Sequence, residues 1–243
     1  MENLAQTKVS KIVAQNYKTA KVFSNYGIDF CCNGGIPLTV ACEENGADLE
    51  AVLQELAIEL MVEDKDNVKN LPMPELVDYI IDTHHKYVIK TAPLLTAYLD
   101  KLCKVHGERH PELFDIKQHF DSSADALMDH MKKEEGILFP FIKEMVAANK
   151  EGKSIEAPDF GHIDNPIAMM EDEHTTEGER FRKIAELTDG YKAPSDGCQT
   201  YKVTFAILDE FEKDLHRHIH LENNILFPKS KQLFQEMTSE TPA

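Results

Sequence analysis

One eleven-residue pattern occurs twice in this chain. His130-Met-Lys-Lys-Glu134-Glu-Gly-Ile-Leu-Phe-Pro140 reads against His218-Ile-His-Leu-Glu222-Asn-Asn-Ile-Leu-Phe-Pro228, each an HxxxE followed by ILFP. On an α-helix, residues four apart share a face with Cβ atoms about 6 Å apart, so each copy can present an imidazole and a carboxylate to one point. Stepping by alternate threes and fours along the surrounding sequence gives Ile116, Phe120, Ser123, Leu127, His130, Glu134, Ile137, Phe141 in one helix and Thr204, Leu208, Phe211, Leu215, His218, Glu222, Ile225 in the other. Each HxxxE therefore interrupts an apolar seam of the kind that faces a bundle core. Carboxylates and imidazoles placed there without partners cost several kcal/mol, on the order of a whole domain's margin, and a bound cation offsets that cost.

Two further helical patterns carry one histidine each in their seams: Ile81, His85, Val88, Ala92, Leu95, Leu99, and Ile167, Met170, His174, Gly178, Phe181, Ala185. The set is four histidines and two glutamates from four helices: His85, His130, Glu134, His174, His218 and Glu222. It suits two first-row metal ions bridged by the two carboxylates. Zinc also accepts these donors, but two bridging carboxylates in a bundle favour iron or manganese. Ferritin-type centres are richer in glutamate and use Glu-x-x-His, so this His-rich set looks more like a hemerythrin. The neighbouring histidines are not read as ligands. His84, rotated about 100° from His85, falls at a helix interface. His216 and His220 lie off the His218 seam and read as solvent-side groups or as partners behind the ligands, and His106, His110, His119 and His162, near helix ends or loops, read as surface residues. Glu135 and Glu173 adjoin ligands; surface charge is their default reading and a polar route for protons or iron the alternative.

The four patterns span roughly 75–106, 111–148, 166–188 and 198–236, with Pro93 expected to kink the first. No alternating strand pattern accompanies them, so the expected fold class is all-α, a four-helix bundle over 75–237. Before it, residues 1–62 read as a small helical module: a helix from Lys8 to Phe23, a turn at Asn25-Tyr26-Gly27, then Asp29-Phe30-Cys31-Cys32-Asn33-Gly34-Gly35 and a second helical stretch from Thr39 to Met61, interrupted near Asn45-Gly46. The charged segment 63–74 with two prolines reads as a linker.

Charge and cysteine usage exclude several classes. With 43 acidic against 26 basic residues and a net charge of −17, nucleic acid and anionic membrane surfaces would repel the chain. Met1 is followed by a polar segment without an apolar stretch, and no run approaches the ~18 apolar residues of a membrane span. Five cysteines, an odd number with two adjacent, make a poor disulfide framework. A soluble, cytoplasmic protein with reduced thiols is the expectation. Cys31 and Cys32 form only a strained disulfide with each other. They read either as packed small residues or as functional thiols on a Gly-rich turn that exposes at least one sulfur.

The motifs Asp29-Phe30-Cys31-Cys32-Asn33-Gly34-Gly35, HxxxE before ILFP at His130, MEDEH ending at His174, and His218-x-x-x-Glu222 before NNILFP resemble, nearly end to end, the hemerythrin-like di-iron proteins for repair of iron centres, also called iron-sulfur cluster repair proteins. The resemblance implies a non-haem di-iron centre with a bridging oxygen, held by the four histidines and bridged by Glu134 and Glu222. The first family histidine maps onto His85, and His84 stands where an aromatic is usual. It also implies a cytoplasmic homodimer whose clients are iron-sulfur proteins damaged by nitric oxide or peroxide and whose action is donation of iron. Cys31 and Cys32 become redox or iron-relay thiols. Two other activities stay open on the residues: reduction of nitric oxide by two adjacent ferrous ions, and sensing or carriage of O2 or NO.

Overall fold

The computed structural model describes residues 2–61, 67–156 and 158–239. Among them there is no strand, and the only extended pairing is an isolated antiparallel bridge between Lys8 and Pro37. The N-terminal module contains α1 (Glu2–Ala5), α2 (Val9–Gln15), a 3₁₀ turn (Tyr17–Thr19), α3 (Ala20–Asn25), α4 (Leu38–Glu44) and α5 (Leu49–Met61). The helix expected from Lys8 to Phe23 breaks at Asn16, whose backbone is extended and whose side chain accepts from the Lys18 N–H. Asparagine competes well for its own backbone and so favours such breaks over helix interiors. The expected interruption near Asn45-Gly46 is present, with Gly46 at φ 62°, a left-handed conformation that glycine adopts without a Cβ penalty. Of the proposed linker, residues 63–66 lie outside the described residues; Asn67–Asn70 form a 3₁₀ turn and the next helix begins at Met73.

Four long helices follow. The first joins α6 (Met73–Ile80) to α7 (Lys86–His106), the second α8 (Glu112–Lys133) to α9 (Phe139–Lys150), the third is α10 (Asp164–Leu187), and the fourth joins α11 (Gln199–Leu221) to α12 (Phe227–Ser239). Contacts of α7 with α8, α8 with α10, α10 with α11 and α11 with α7 close the ring. Pro93 sits inside α7 without ending it; Pro93 and Ile89, whose carbonyl loses its donor, both face solvent, where water can supply the missing bond.

Three of the four helices carry a π-helical turn at the level of the polar seam: Ile81–His85, Glu134–Leu138 and Glu222–Leu226. In the last two, the Phe139 and Phe227 N–H groups reach back five residues to the Glu134 and Glu222 carbonyls. Pro140 and Pro228 follow directly. Each lacks the N–H that would close a regular turn on Gly136 or Asn224, so the repeated ILFP helps the helix widen there. The extra residue shifts the seam. Ile137, expected to face inward, is 52% exposed, while Leu138 is buried.

The apolar core divides at this level. One cluster runs through Val88, Leu95, Phe120, Leu127, Phe181, Phe211 and Leu215 and is continuous with module residues such as Ile12, Phe23 and Leu56. The other holds Leu76, Ile80, Ile142, Ile167, Phe227 and Phe234. The six polar residues picked from the sequence lie between the two. The module is docked against the bundle, not held apart from it: Phe30 packs edge-on against His216 and His220, and the guanidinium of Arg217 lies 3.9 Å over the Tyr17 ring. Sharing a core with a larger body removes the stability problem of a sixty-residue unit.

Phe120 is fully buried and meets the rings of Phe181 and Phe211. Phe120→Ala is expected to cost about 3–5 kcal/mol in chemical denaturation, whereas Phe114→Ala, at a site 54% exposed, should stay within about 0.5 kcal/mol of the parent.

Candidate metal centre

The first helix delivers His85 from its π turn, the second His130 and Glu134, the third His174, and the fourth His218 and Glu222. All six are at most 3% exposed. Their donor atoms fall into two groups, His85, Glu134, His218, Glu222 and His130, Glu134, His174, Glu222, with the ligating atoms of each group within 4.8 Å of one another. Both carboxylates belong to both groups. One oxygen of Glu134 lies 3.3 Å from His85 Nε2 and 3.4 Å from His130 Nε2. Glu222 divides its oxygens, Oε1 at 3.0 Å from His218 Nε2 and Oε2 at 3.1 Å from His174 Nε2. The Nε2 atoms of His130 and His174 approach to 3.1 Å.

The residues fit a pair of cations. Both Glu134 oxygens, Glu222 Oε2 and His85 Nε2 are buried without a well-formed hydrogen bond, a costly arrangement unless a cation collects them. Burial alone would raise both carboxyls. For Glu222 the imidazoles of His218 and His174 outweigh it and hold the group well below the usual carboxylate range; for Glu134, burial and the neighbouring Glu222 are outweighed by His130 and His85. The imidazoles answer unequally. His130 is pushed up to about 10, burial being overcome by Glu134, while burial carries His218 down. Metal ions would neutralise the carboxylates and use neutral imidazole.

Three imidazoles are fixed from behind. His85 Nδ1 donates to Glu135 Oε1 at 2.7 Å, His130 Nδ1 to Glu173 Oε2 at 2.8 Å, and His174 Nδ1 to Asn223 Oδ1 at 2.8 Å. An acceptor at Nδ1 sets the tautomer, aims Nε2 inward and makes it a better donor to metal. Glu135 and Glu173 are thus not merely surface charge, and Asn223 is a site residue that pattern reading passes over. Its signal lies in the repeat itself. Glu135 and Asn223 both follow the motif glutamate, and both accept from the lone histidine of the preceding helix.

The other histidines lie outside the donor groups. His84 is buried, with Nδ1 2.9 Å from Asp214 Oδ1. His220 is buried and His216 half-buried against the module. His106, expected at the surface, is buried with Nε2 3.3 Å from Cys198 Sγ. His110, His119 and His162 keep some solvent contact.

Cys31 and Cys32 do not stand clear of the bundle. Cys31 is buried and Cys32 half-buried, their sulfurs 3.8 Å apart, and Cys32 Sγ lies 3.4 Å from the His174 carbonyl. Asp29 Oδ1 accepts from both cysteine N–H groups, and Asn223 Nδ2 donates to the Cys31 carbonyl. One asparagine side chain thereby ties the thiol turn to the imidazole of His174. A cleft of about 230 Å³ reaches His130 and His174, lined also by Lys133, Glu173, Glu177 and Arg180.

A four-helix bundle with a buried His/Glu layer is the architecture of the hemerythrin class, and the hemerythrin HHE cation binding domain matches residues 76–230. A second family, a domain of unknown function (DUF542), matches residues 5–59. The chain belongs to the hemerythrin-like iron-sulfur cluster repair family. It is 33% identical over 223 residues to the iron-sulfur cluster repair protein ScdA of Staphylococcus haemolyticus, covering 91% of this chain and 96% of the relative. It is 31% identical to a probable iron-sulfur cluster repair protein of Haemophilus influenzae, covering 93% and 97%. To the iron-sulfur cluster repair protein YtfE of Yersinia pseudotuberculosis it is 29% identical, covering 88% and 91%.

The arrangement predicts a graded response of bound metal to substitution. Glu134→Ala and Glu222→Ala should abolish paired binding, since each removes a donor common to both groups. Glu135→Ala should weaken binding by about 10–100-fold through His85. His85→Ala should lower metal content more than His84→Ala. Metal analysis after equilibrium dialysis gives the order, and equal loss from Glu134→Ala and Glu135→Ala would contradict it.

Proposed function

We propose that this chain repairs damaged iron-sulfur clusters by supplying iron from a non-haem di-iron centre held by His85, His130, Glu134, His174, His218 and Glu222. The observation that carries the reading is the sharing of two buried carboxylates between two pairs of imidazoles. The relatives' names, all iron-sulfur cluster repair proteins, supply the clients. When bound, two adjacent irons provide a reservoir of deliverable ferrous ion and a redox centre facing small oxidants.

The protein's part is to hold and to release. Glu134 and Glu222, common to both donor groups, would hold both ions and offset their charge. Glu135, Glu173 and Asn223 keep Nε2 of three histidines aimed inward. The two apolar clusters exclude water above and below, and the cleft beside His130 leaves one side accessible. Its Lys133 and Arg180 pair with Glu173 and Glu177, so the passage, which Ala126 and Leu127 also line, is nearly charge-balanced and open to neutral diatomics such as nitric oxide and O2. The cleft favours the second reading, in which nitric oxide is consumed at the centre. In this reading Cys31 and Cys32, behind His174, are the thiols that relay iron, or give electrons, on that side. No helix of the described residues is long and apolar enough to cross a membrane. We place the protein in the cytoplasm as a homodimer acting on iron-sulfur proteins damaged by nitrosative or oxidative stress.

Iron-loaded protein mixed, in the presence of an added thiol reductant, with a dehydratase whose cluster has lost one iron but kept its sulfides should restore its activity with stoichiometric loss of iron from the donor. Restoration without iron loss, or nitrous oxide production from nitric oxide as the sole activity, would contradict the donor reading. The Cys31→Ser, Cys32→Ser double variant, at matched iron loading, should keep the visible spectrum of the centre and restore the client poorly. Equal restoration would assign the cysteines to packing.

A further inference from the structure

The duplicated motif gives the centre an approximate internal two-fold relation. His85 corresponds to His174, His130 to His218, Glu134 to Glu222 and Glu135 to Asn223. By the same correspondence Glu173, which precedes His174, matches His84, which precedes His85. The anchoring contacts obey the relation in one pair and break it in the other. His85 and His174 each have an Nδ1 acceptor, Glu135 and Asn223. His130 has Glu173. Its counterpart His218 has no protein acceptor, and its Nδ1 is buried. His84 fills that place instead. Its ring lies parallel to the His218 ring, 5° between planes and 5.5 Å between centroids, with no hydrogen bond between them. The hydrogen-bonding capacity of His84 is directed away: Nδ1 is engaged by Asp214, the ring edge meets Tyr79 at 5.8 Å, and Nε2 is buried without a partner.

We propose that the two ion positions are unequal, and that the ion between His85 and His218 leaves first because His84 withholds from His218 the anchor that Glu173 gives to His130. The inference rests on the six-ligand reading and adds which part of the centre is given up. An imidazole with no acceptor behind it has no hydrogen bond to set its tautomer and is a weaker donor, and loss of such a partner weakens metal sites by about 10–100-fold. The cleft argues for the opposite order, since it opens beside His130 and His174 and solvent access alone would strip that side first. The two arguments therefore make contrary predictions.

Crystals of the iron-loaded full-length chain, partly stripped with a ferrous chelator, would be measured at the iron absorption edge. The expected result is anomalous density retained between His130 and His174 and reduced between His85 and His218. In solution the same chelator should remove iron in two phases, with rates differing by about tenfold. His84→Gln can accept from His218 at its amide oxygen and donate to Asp214 at its nitrogen, so it should slow the fast phase towards the slow one. Glu173→Ala, at a partly exposed site, should instead hasten the slow phase. Equal loss at both positions, loss first between His130 and His174, or a fast phase that His84→Gln leaves unchanged would overturn the proposal. A single ion before stripping would overturn the six-ligand reading, and this inference with it.

Discussion

Two carboxylates buried at the middle of a helical bundle are the constraint on which the rest of the structure depends. Glu134 and Glu222 have no solvent contact, and an ionised carboxylate in that position is tolerated only when charge and hydrogen bonding compensate it. The four imidazoles supply part of the compensation, and a pair of cations would supply the remainder. Much of the architecture follows from holding this layer in place. The apolar core stops above it and restarts below it, and three helices open into π turns at its level. The expense of that local irregularity is repaid by the direction in which the ligands point, as is common where π turns fall at functional sites.

The bundle was legible in the sequence because its period is. Apolar residues at three- and four-residue spacing define the four helices to within a few residues, and six polar residues lying on those seams locate the site. The stepping fails beyond Glu134, where the π turn inserts a residue and carries Leu138 inward in place of Ile137. Proline six residues after each motif glutamate was the available sign, but a proline alone does not tell a kink from a widened turn. The break at Asn16 escaped for a similar reason: side-chain competition with the backbone is local and leaves no periodic trace.

Contacts between distant segments were beyond sequence reading. Nothing in Asp29-Phe30-Cys31-Cys32 says that the turn packs behind His174, because that contact is made through the half-buried Asn223, distant in sequence. The charged, proline-containing linker suggested a tethered module, whereas the apolar residues of α2, α3 and α5 join the bundle core. His106 was misplaced by its position near a helix end, since its burial depends on the start of α11 folding over it. Function has the same structure of dependence. The six candidate donors were readable from spacing, and their grouping and the Nδ1 acceptors behind three of them only from the fold.

Iron-edge X-ray absorption of the iron-loaded chain tests the central claim most directly, because it reports the atoms around the metal without reference to activity. The account predicts a first shell of nitrogen and oxygen with an imidazole pattern, no sulfur, and a metal–metal vector from the shared carboxylates. A sulfur shell would move the iron to Cys31 and Cys32, and a spectrum without a metal–metal vector would leave the two buried glutamates without the role assigned to them.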